Sequence, residues 1–120
     1  MKESALKRAV MAYLALHADC VIVRVFCGSV KAERGGWITG ATPGTADLLG
    51  VCAGVPVAFE LKATKGRVRP EQREFAERWQ SAGGVYRLVR TLDDVADGLL
   101  ECRNMQRTDD RTRGVRGGEQ

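Results

Sequence analysis

The segment 47–62 constrains the fold more than any other part of the chain. Two short apolar runs flank a turn centred on Gly54, and this pattern predicts two strands that pair as a hairpin. Side chains alternate between the two faces of a strand, so Glu60 and Lys62 are expected on one face of the sheet. Pairing of the two runs also returns Asp47 to the side of Glu60. We therefore predict two carboxylates and one ammonium group at one end of a small sheet.

This predicted cluster suggests a cation-assisted reaction. The carboxylates of Asp47 and Glu60 suit a hard divalent cation, and the ammonium group of Lys62 would lie next to a water bound to that cation. Acidic residues also end many strands, and a Glu-x-Lys pair on a strand is often only solvated charge. Surface charge is therefore the alternative interpretation of the same three residues.

A basic segment overlaps the end of this stretch. Five cations fall within twelve residues and are opposed only by Glu71: Lys62, Lys65, Arg67, Arg69 and Arg73. Cations beside a carboxylate cluster are what a phosphodiester substrate would need. A solvated basic loop with no partner is the alternative.

Composition places the chain among ordinary single-domain proteins. Its 120 residues are 44% apolar and 28% charged, which is enough apolar material for one core. The net charge of +4 suggests a polyanionic partner without establishing one. No apolar run is long enough to span a membrane, and the charges at Lys2 and Lys7 leave no room for a signal peptide. We expect a cytoplasmic protein without membrane contact.

The cysteines show no metal-binding spacing. The chain contains Cys20, Cys27, Cys52 and Cys102, with no Cys-x-x-Cys pair, and His17 is the single histidine. We predict reduced, mostly buried thiols without a metal.

The remaining pattern predicts an α/β domain with a mixed central sheet. A first helix over residues 2–17 carries Glu3 in its first turn, either at an exposed end or aimed at a site. A β-branched strand at 21–26 precedes a short run near Trp37, which is predicted to pack in the core or against the sheet. Its connection to the preceding strand is a hairpin or an irregular crossing.

The second half of the chain predicts a crossover. A helix opens at Pro70 with Gln72 on its buried side, together with Phe75, Ala76 and Trp79. A strand at 85–90 follows, and the intervening helix makes it parallel to the strand at 55–61. A short helix reaches residue 100. From residue 103 the chain is rich in Arg, Asp and Gly, so we predict a domain over 1–102 and a disordered basic tail over 103–120.

Four features stand in order along the chain: Glu3 on the first helix, Gly44-x-x-Asp47-Leu48-Leu49, Glu60-Leu61-Lys62, and Gln72 on the following helix. In this order they resemble the VRR-NUC domain, a branch of the PD-(D/E)xK nuclease superfamily. The similarity covers about residues 3–100 and includes Gly66 and the strand after Gly83-Gly84. One departure is Ala46, where the family usually has proline. Because proline supplies no ligand, we expect a change in loop stiffness only.

The resemblance implies a restriction-endonuclease-like fold and a stand-alone nuclease of the phage or prophage type. Asp47, Glu60 and the backbone carbonyl of Leu61 would bind Mg²⁺ or Mn²⁺, and Lys62 would hold or help deprotonate a water. Glu3 would act through a water or a second cation. The remaining expected roles are orientation of Lys62 or contact with the DNA backbone for Gln72, and phosphate binding for Lys65, Arg67, Arg69 and Arg73.

Single-domain members of this kind resemble junction resolvases, which implies a homodimer acting on branched DNA in the cytoplasm of a bacterial host. Two other classes of protein are compatible with the sequence. One is a non-catalytic DNA-binding module on the same fold, and the other is a structural or accessory protein whose dimer surface matters more than its cleft. The acid–acid–lysine set argues against the first, and the second would show neither metal dependence nor DNA affinity.

Overall fold

A computed structural model describes residues 2–26 and 29–118 of the chain. Its elements, in chain order, are α1 (Glu3–Leu14), β1 (Cys20–Arg24), β2 (Ser29–Lys31), β3 (Trp37–Thr39), β4 (Leu48–Cys52), β5 (Val55–Leu61), α2 (Pro70–Ser81), β6 (Val85–Val89) and α3 (Leu92–Gly118). Within the described residues, no helix is both long and apolar enough to cross a membrane.

The main sheet has four strands in the order β1-β4-β5-β6. The β1–β4 and β4–β5 pairs are antiparallel, and the β5–β6 pair is parallel. Helix α2 makes the crossover that a parallel pair requires. Strand β5 lies at the centre and is buried at every position except Pro56, as an apolar strand covered on both faces should be. The predicted mixed α/β architecture is confirmed.

The β4–β5 hairpin turns over two residues with positive φ angles, Ala53 at 51° and Gly54 at 80°. Positive φ at both central positions is typical of the type I′ turn, whose twist matches that of the flanking strands. The register pairs Leu48 with Phe59, so the next position places Asp47 opposite Glu60. The hairpin predicted from the Gly54 turn is therefore confirmed.

Helices cover both faces of the sheet. Leu6 of α1 and Leu99 of α3 join Phe59 of β5 in one buried core. On the opposite face, Phe75 of α2 packs on Tyr86 of β6 with 6.3 Å between ring centroids. The face that carries Glu60 is therefore the α2 face, because Glu60 and Phe59 are adjacent on a strand.

The second hairpin does not bury its tryptophan. Strands β2 and β3 form a separate two-stranded sheet in which Lys31 pairs with Trp37. Trp37 is 71% exposed, so the prediction that it packs in the core or against the sheet is wrong. Among the residues that the structure describes, no third strand or helix covers this side chain. The predicted face of α2 is also only half-buried at Phe75 and Trp79, whereas Gln72 is buried.

Helix α3 extends well past the predicted domain boundary. Cys102 is fully buried in the core, and Arg103 is ion-paired with Asp19 at 2.8 Å. Residues 103–118 of the predicted tail lie in α3, which continues to Gly118, and the division into a domain and a tail stays a prediction. Residues 119–120, the end of the predicted tail, and Cys27, predicted as a reduced thiol, lie outside the described residues.

Candidate active site

Asp47 is fixed between two strands at the open end of the hairpin. Its backbone carbonyl accepts a hydrogen bond of 2.8 Å from the Val25 N–H, which extends the pairing of β1 with β4. Its side-chain Oδ2 accepts a 2.8 Å hydrogen bond from the Leu61 N–H at the end of β5. The carboxylate is thereby held beside Glu60, the residue that precedes Leu61.

Glu60 is a buried acid with an incomplete set of partners. Only 3% of the residue is exposed. Its Oε1 accepts a 3.1 Å hydrogen bond from Gln72 Nε2 and lies 3.9 Å from Lys62 Nζ. Its Oε2 is buried with no hydrogen-bond donor among the described residues. Buried polar atoms are almost always bonded, so an unpartnered carboxylate oxygen points to a missing ligand.

The electrostatics of the pair follow from this geometry. Burial, and then the negative charge of Asp47, raises the pKa of Glu60 to about 8, against the opposing effect of Lys62. Two neighbouring carboxylates cannot both ionise easily in a site of low dielectric constant. The pair therefore retains a proton near neutral pH unless a cation takes its place.

Gln72 connects the start of α2 to this carboxylate. Its Oε1 accepts a 3.0 Å hydrogen bond from the Arg69 N–H, which caps the helix, while its Nε2 donates to Glu60. The side chain bonds to Glu60 and only 4% of the residue is exposed, and the expected role of Gln72 in orienting Lys62 or contacting the DNA backbone stays a prediction. Its position fixes one oxygen of Glu60 and leaves the other free.

Lys62 lies at the same edge of the sheet. Its backbone N–H donates a 2.9 Å hydrogen bond to the carbonyl of Val89 on β6. Its side chain is 13% exposed and points toward Glu60. An ammonium group in this position can stabilise negative charge or hold a water beside the two carboxylates.

Arg90 holds the loop next to the site in place, a role that was not predicted from the sequence. Its guanidinium donates to the carbonyls of Ala63 and Gly66 at 2.7 and 2.8 Å. It thus fastens the loop that follows Lys62. The signal was available in principle, since Arg90 directly follows β6 and a parallel crossover places that end beside the end of β5.

Tyr86 is a second missed neighbour of the site. It pairs in register with Ala58 and so shares the sheet face of Glu60. Burial, followed by the charges of Glu60 and Asp47, raises its pKa to about 12. The phenol therefore stays protonated and is available as a hydrogen-bond donor at neutral pH.

The other predicted site residues lie at the surface. Glu3 is exposed and forms no hydrogen bond or ion pair with any residue that the structure describes. The four predicted phosphate-binding residues are all exposed: Lys65, Arg67, Arg69 and Arg73. Arg69 makes a loose ion pair of 3.7 Å with Glu71. The structure thus brings together Asp47, Glu60, Lys62 and Gln72, and leaves Glu3 without a contact to them.

A second group of possible metal ligands lies at the other end of β4. One ligand atom each from Asp19, Cys20 and Cys52 falls within 4.8 Å of the others. Both carboxylate oxygens of Asp19 already accept hydrogen bonds from the guanidinium of Arg103, at 2.8 and 2.9 Å. Burial raises the pKa of Cys20 above its ordinary value, which keeps the thiol protonated. The carboxylate of Asp19 is therefore already engaged by a guanidinium and has little capacity to bind a metal.

The donors of the first cluster do fit a hard divalent cation. Asp47 and Glu60 supply oxygen ligands from two adjacent strands, and Oε2 of Glu60 has no protein partner. Mg²⁺ and Mn²⁺ are bound in proteins by one or two such carboxylates, with waters and substrate oxygens completing the coordination.

No protein-family model matches the chain, and no curated protein matches it in sequence. The relationship to VRR-NUC nucleases therefore remains a prediction from the sequence pattern. The case for a function depends on the geometry of the cluster around Glu60.

Proposed function

We propose that the protein is a metal-dependent deoxyribonuclease that hydrolyses phosphodiester bonds as an endonuclease. The observation that carries this proposal is the buried carboxylate of Glu60, with an unpartnered oxygen beside Asp47. Two acids brought so close in a buried site raise the free energy of the folded state when both are charged. Asp47 and Glu60 would hold a divalent cation, whose charge would offset this repulsion and supply the missing partner.

The ligands of the cation would be Asp47, Glu60 and the backbone carbonyl of Leu61. A bound Mg²⁺ or Mn²⁺ polarises the scissile phosphate and lowers the pKa of a coordinated water. Lys62 Nζ would hold the attacking water and would stabilise the negative charge that develops on the phosphate. Gln72 keeps Glu60 oriented through its 3.1 Å hydrogen bond.

The exposed cations beside the cluster supply substrate affinity. Lys65, Arg67, Arg69 and Arg73 follow Lys62 in the chain and lie in or after the loop that Arg90 fastens. Contacts of this kind bind backbone phosphates without reading bases. The same cations would also serve a non-catalytic DNA-binding module, which is the second candidate function. The buried and unpartnered Glu60 favours the nuclease.

The finer parts of the proposal rest on the resemblance. They are a phage-type enzyme in the cytoplasm of a bacterial host, a preference for branched DNA, and a homodimer, with Glu3 acting through a water or a second cation. One observation supports a dimer. Val21, Val23 and Val51 expose 73, 57 and 46% of their surface on paired positions of β1 and β4, which leaves apolar area for a second copy to cover.

The test is cleavage of a labelled panel containing a four-way junction, a flap, a duplex and a single strand. Each substrate is incubated with Mg²⁺, Mn²⁺ or a chelator. We expect metal-dependent cutting that falls by about 10²–10⁴-fold in Lys62→Ala. The matched control is Lys31→Ala, which removes the same charge from an exposed position on β2 and should cut like the wild type. Binding without cutting under every metal would establish the DNA-binding module instead.

A further inference from the structure

A cleft of about 420 Å³ lies between α1 and the end of β1. Its lining residues are Ser4, Lys7, Arg8, Met11 and Arg24. The first four follow the spacing i, i+3, i+4 and i+7, so they form one stripe along α1. Arg24 closes the cleft from the last position of β1. The concave surface is therefore built by a helix and a strand that are distant in the chain.

The charge of this cleft is entirely positive. Three of the five lining residues are cations, and no acidic residue lines the cleft. Lys7, Arg8 and Arg24 form no ion pair or hydrogen bond with any side chain that the structure describes. By contrast, Arg87 and Arg103 are paired with Glu101 and Asp19 at 3.0 and 2.8 Å. Three unpaired cations around a concavity with a hydroxyl group suit a phosphate oxyanion.

Arg24, which closes the cleft, lies two strands away from Phe59, the residue before Glu60. Arg24 pairs in register with Leu48, the residue after Asp47. Neighbouring strands are about 4.8 Å apart, so β1 lies about 10 Å from β5 across the sheet edge. A nucleic-acid strand rises about 3.4 Å per nucleotide and covers this distance in about three nucleotides. The cleft opens on the α1 face of the sheet and Glu60 projects to the α2 face, so a strand that reaches both passes around the end of the sheet where Asp47 lies.

We propose that the cleft formed by Ser4, Lys7, Arg8 and Arg24 binds a backbone phosphate of the substrate strand. The strand then crosses the sheet edge from α1, over Asp47 and Glu60, to the basic segment at the start of α2. The ligand class is a phosphodiester, and its identity as the cleaved strand rests on the proposed function. This binding subsite is separate from the predicted cations at 65–73.

The first test measures binding of a labelled single strand in chelator, so that no cleavage occurs. The cleft variant combines Lys7→Gln, Arg8→Gln and Arg24→Gln. The control variant combines Arg34→Gln, Arg78→Gln and Arg107→Gln, which removes the same total charge from exposed positions. Affinity is measured over a range of salt concentrations, and circular dichroism checks that each variant is folded. If the triple variant does not fold, the same binding measurement is made with Arg24→Lys. This variant keeps the charge but changes the shape of the cationic group.

We expect the slope of log affinity against log salt to fall by about 2 in the cleft variant, since each lost phosphate contact in a single strand contributes about 0.7. The control variant should change the slope by less than half as much. Equal changes in the two variants would overturn the proposal, because general electrostatics would then explain the loss.

The second test locates the contact on the strand. A single neutral methylphosphonate linkage is moved along the substrate, and binding is measured with the wild type and with Arg24→Gln. At one linkage, about three nucleotides from the scissile bond, the modification should weaken wild-type binding several-fold and leave the variant unchanged. The absence of any such linkage would contradict the proposal.

The two proposals fail separately. Salt-dependent binding that is lost in the cleft variant, without cutting by any variant, would keep the phosphate subsite and remove the nuclease. Cutting and binding that are unchanged in the cleft variant would keep the nuclease and remove the subsite. Competition by millimolar inorganic phosphate, equal in wild type and cleft variant, would also count against the subsite.

Discussion

The two ends of strand β4 each bring a carboxylate together with groups from distant parts of the chain, but with opposite results. At one end, Asp19 receives two hydrogen bonds from Arg103, and that guanidinium holds the pKa of the carboxyl well below its usual range. At the other end, burial and Asp47 raise the pKa of Glu60 to about 8. The first carboxylate has its full set of partners, whereas the second lacks a partner for one oxygen.

The number of hydrogen-bond partners distinguishes a structural cluster, at Asp19, from a candidate ligand-binding site, at Glu60. A satisfied acid stabilises the fold and has little capacity for another ligand. An acid whose charged form is unfavourable in the folded protein destabilises it, and such groups are concentrated where a ligand or a reaction needs them. Of the two clusters, the one that contains thiols and an acid looks more like a metal site in composition. The geometry favours the other.

Of the substitutions considered, Glu60→Gln should change activity most. The substitution removes a ligand and should lower metal-dependent cutting by about 10²–10⁴-fold, the range typical of losing a group that acts in the reaction. It also removes a buried charge, so the thermal unfolding temperature of the metal-free variant at pH 8 should rise above that of the wild type. Cleavage assays and thermal denaturation measure the two effects. A variant that is both inactive and less stable would indicate a purely structural role.

The stability of the folded protein should depend on pH through Glu60. Glu60 has a pKa of about 8 in the folded protein against an ordinary value of 4.5, so the folded state holds this proton more tightly than the unfolded state. Its stabilising contribution is complete below about pH 4.5 and is lost as the pH rises through 8. In chelator, the unfolding temperature should fall by several degrees between pH 5 and pH 8.5, relative to Glu60→Gln. Saturating Mg²⁺ should remove most of this difference, and parallel curves without metal would refute the assignment.

Gln72→Ala should have an intermediate effect. It removes the donor to Glu60 and the acceptor for the Arg69 N–H, so we expect about 1–2 kcal/mol of lost stability and roughly tenfold slower cutting. Because the expected role is to position Glu60, the apparent affinity for Mg²⁺ should weaken as well. Titration of cleavage rate with Mg²⁺ measures this affinity. A loss of stability with unchanged affinity for Mg²⁺ would mean that Gln72 caps α2 but does not position Glu60.

The smallest effect on cutting is expected from a substitution at the Asp19 end of β4. Arg103→Gln breaks the ion pair with Asp19. The side chains of Arg103 and Asp19 are 31 and 40% exposed. Exposed pairs of this kind contribute less than about 1 kcal/mol. Cutting and its metal dependence should match the wild type. A large loss of activity in Arg103→Gln would show that the two ends of β4 are coupled.

The hairpin end of the site could be predicted from the sequence because its determinants are local. The turn at Gly54 fixes the register, and alternation along β5 then fixes the faces of Glu60 and Lys62. The role of Gln72 could not be predicted, since its partner depends on how α2 sits against the sheet. Arg103 was likewise placed in a disordered tail because its contact with Asp19 spans 84 residues.

The exposure of Trp37 could not be predicted from the sequence either. A single aromatic residue in a short strand indicates packing only when another element covers it, and the β2–β3 ribbon has no such cover among the described residues. Propensity and periodicity describe a segment, whereas burial is a property of its neighbours.

The two-residue turn at Ala53 and Gly54 also bears on the order of folding. Contacts that close short loops form early, because little chain entropy is lost before they are made. The β4–β5 hairpin is the most local pairing in the main sheet, whereas the β1–β4 pairs run from Arg24–Leu48 to Cys20–Cys52, separated by 24 to 32 positions. We therefore expect Asp47 and Glu60 to meet early in folding, and we expect a divalent cation to speed folding if their repulsion slows closure of the hairpin.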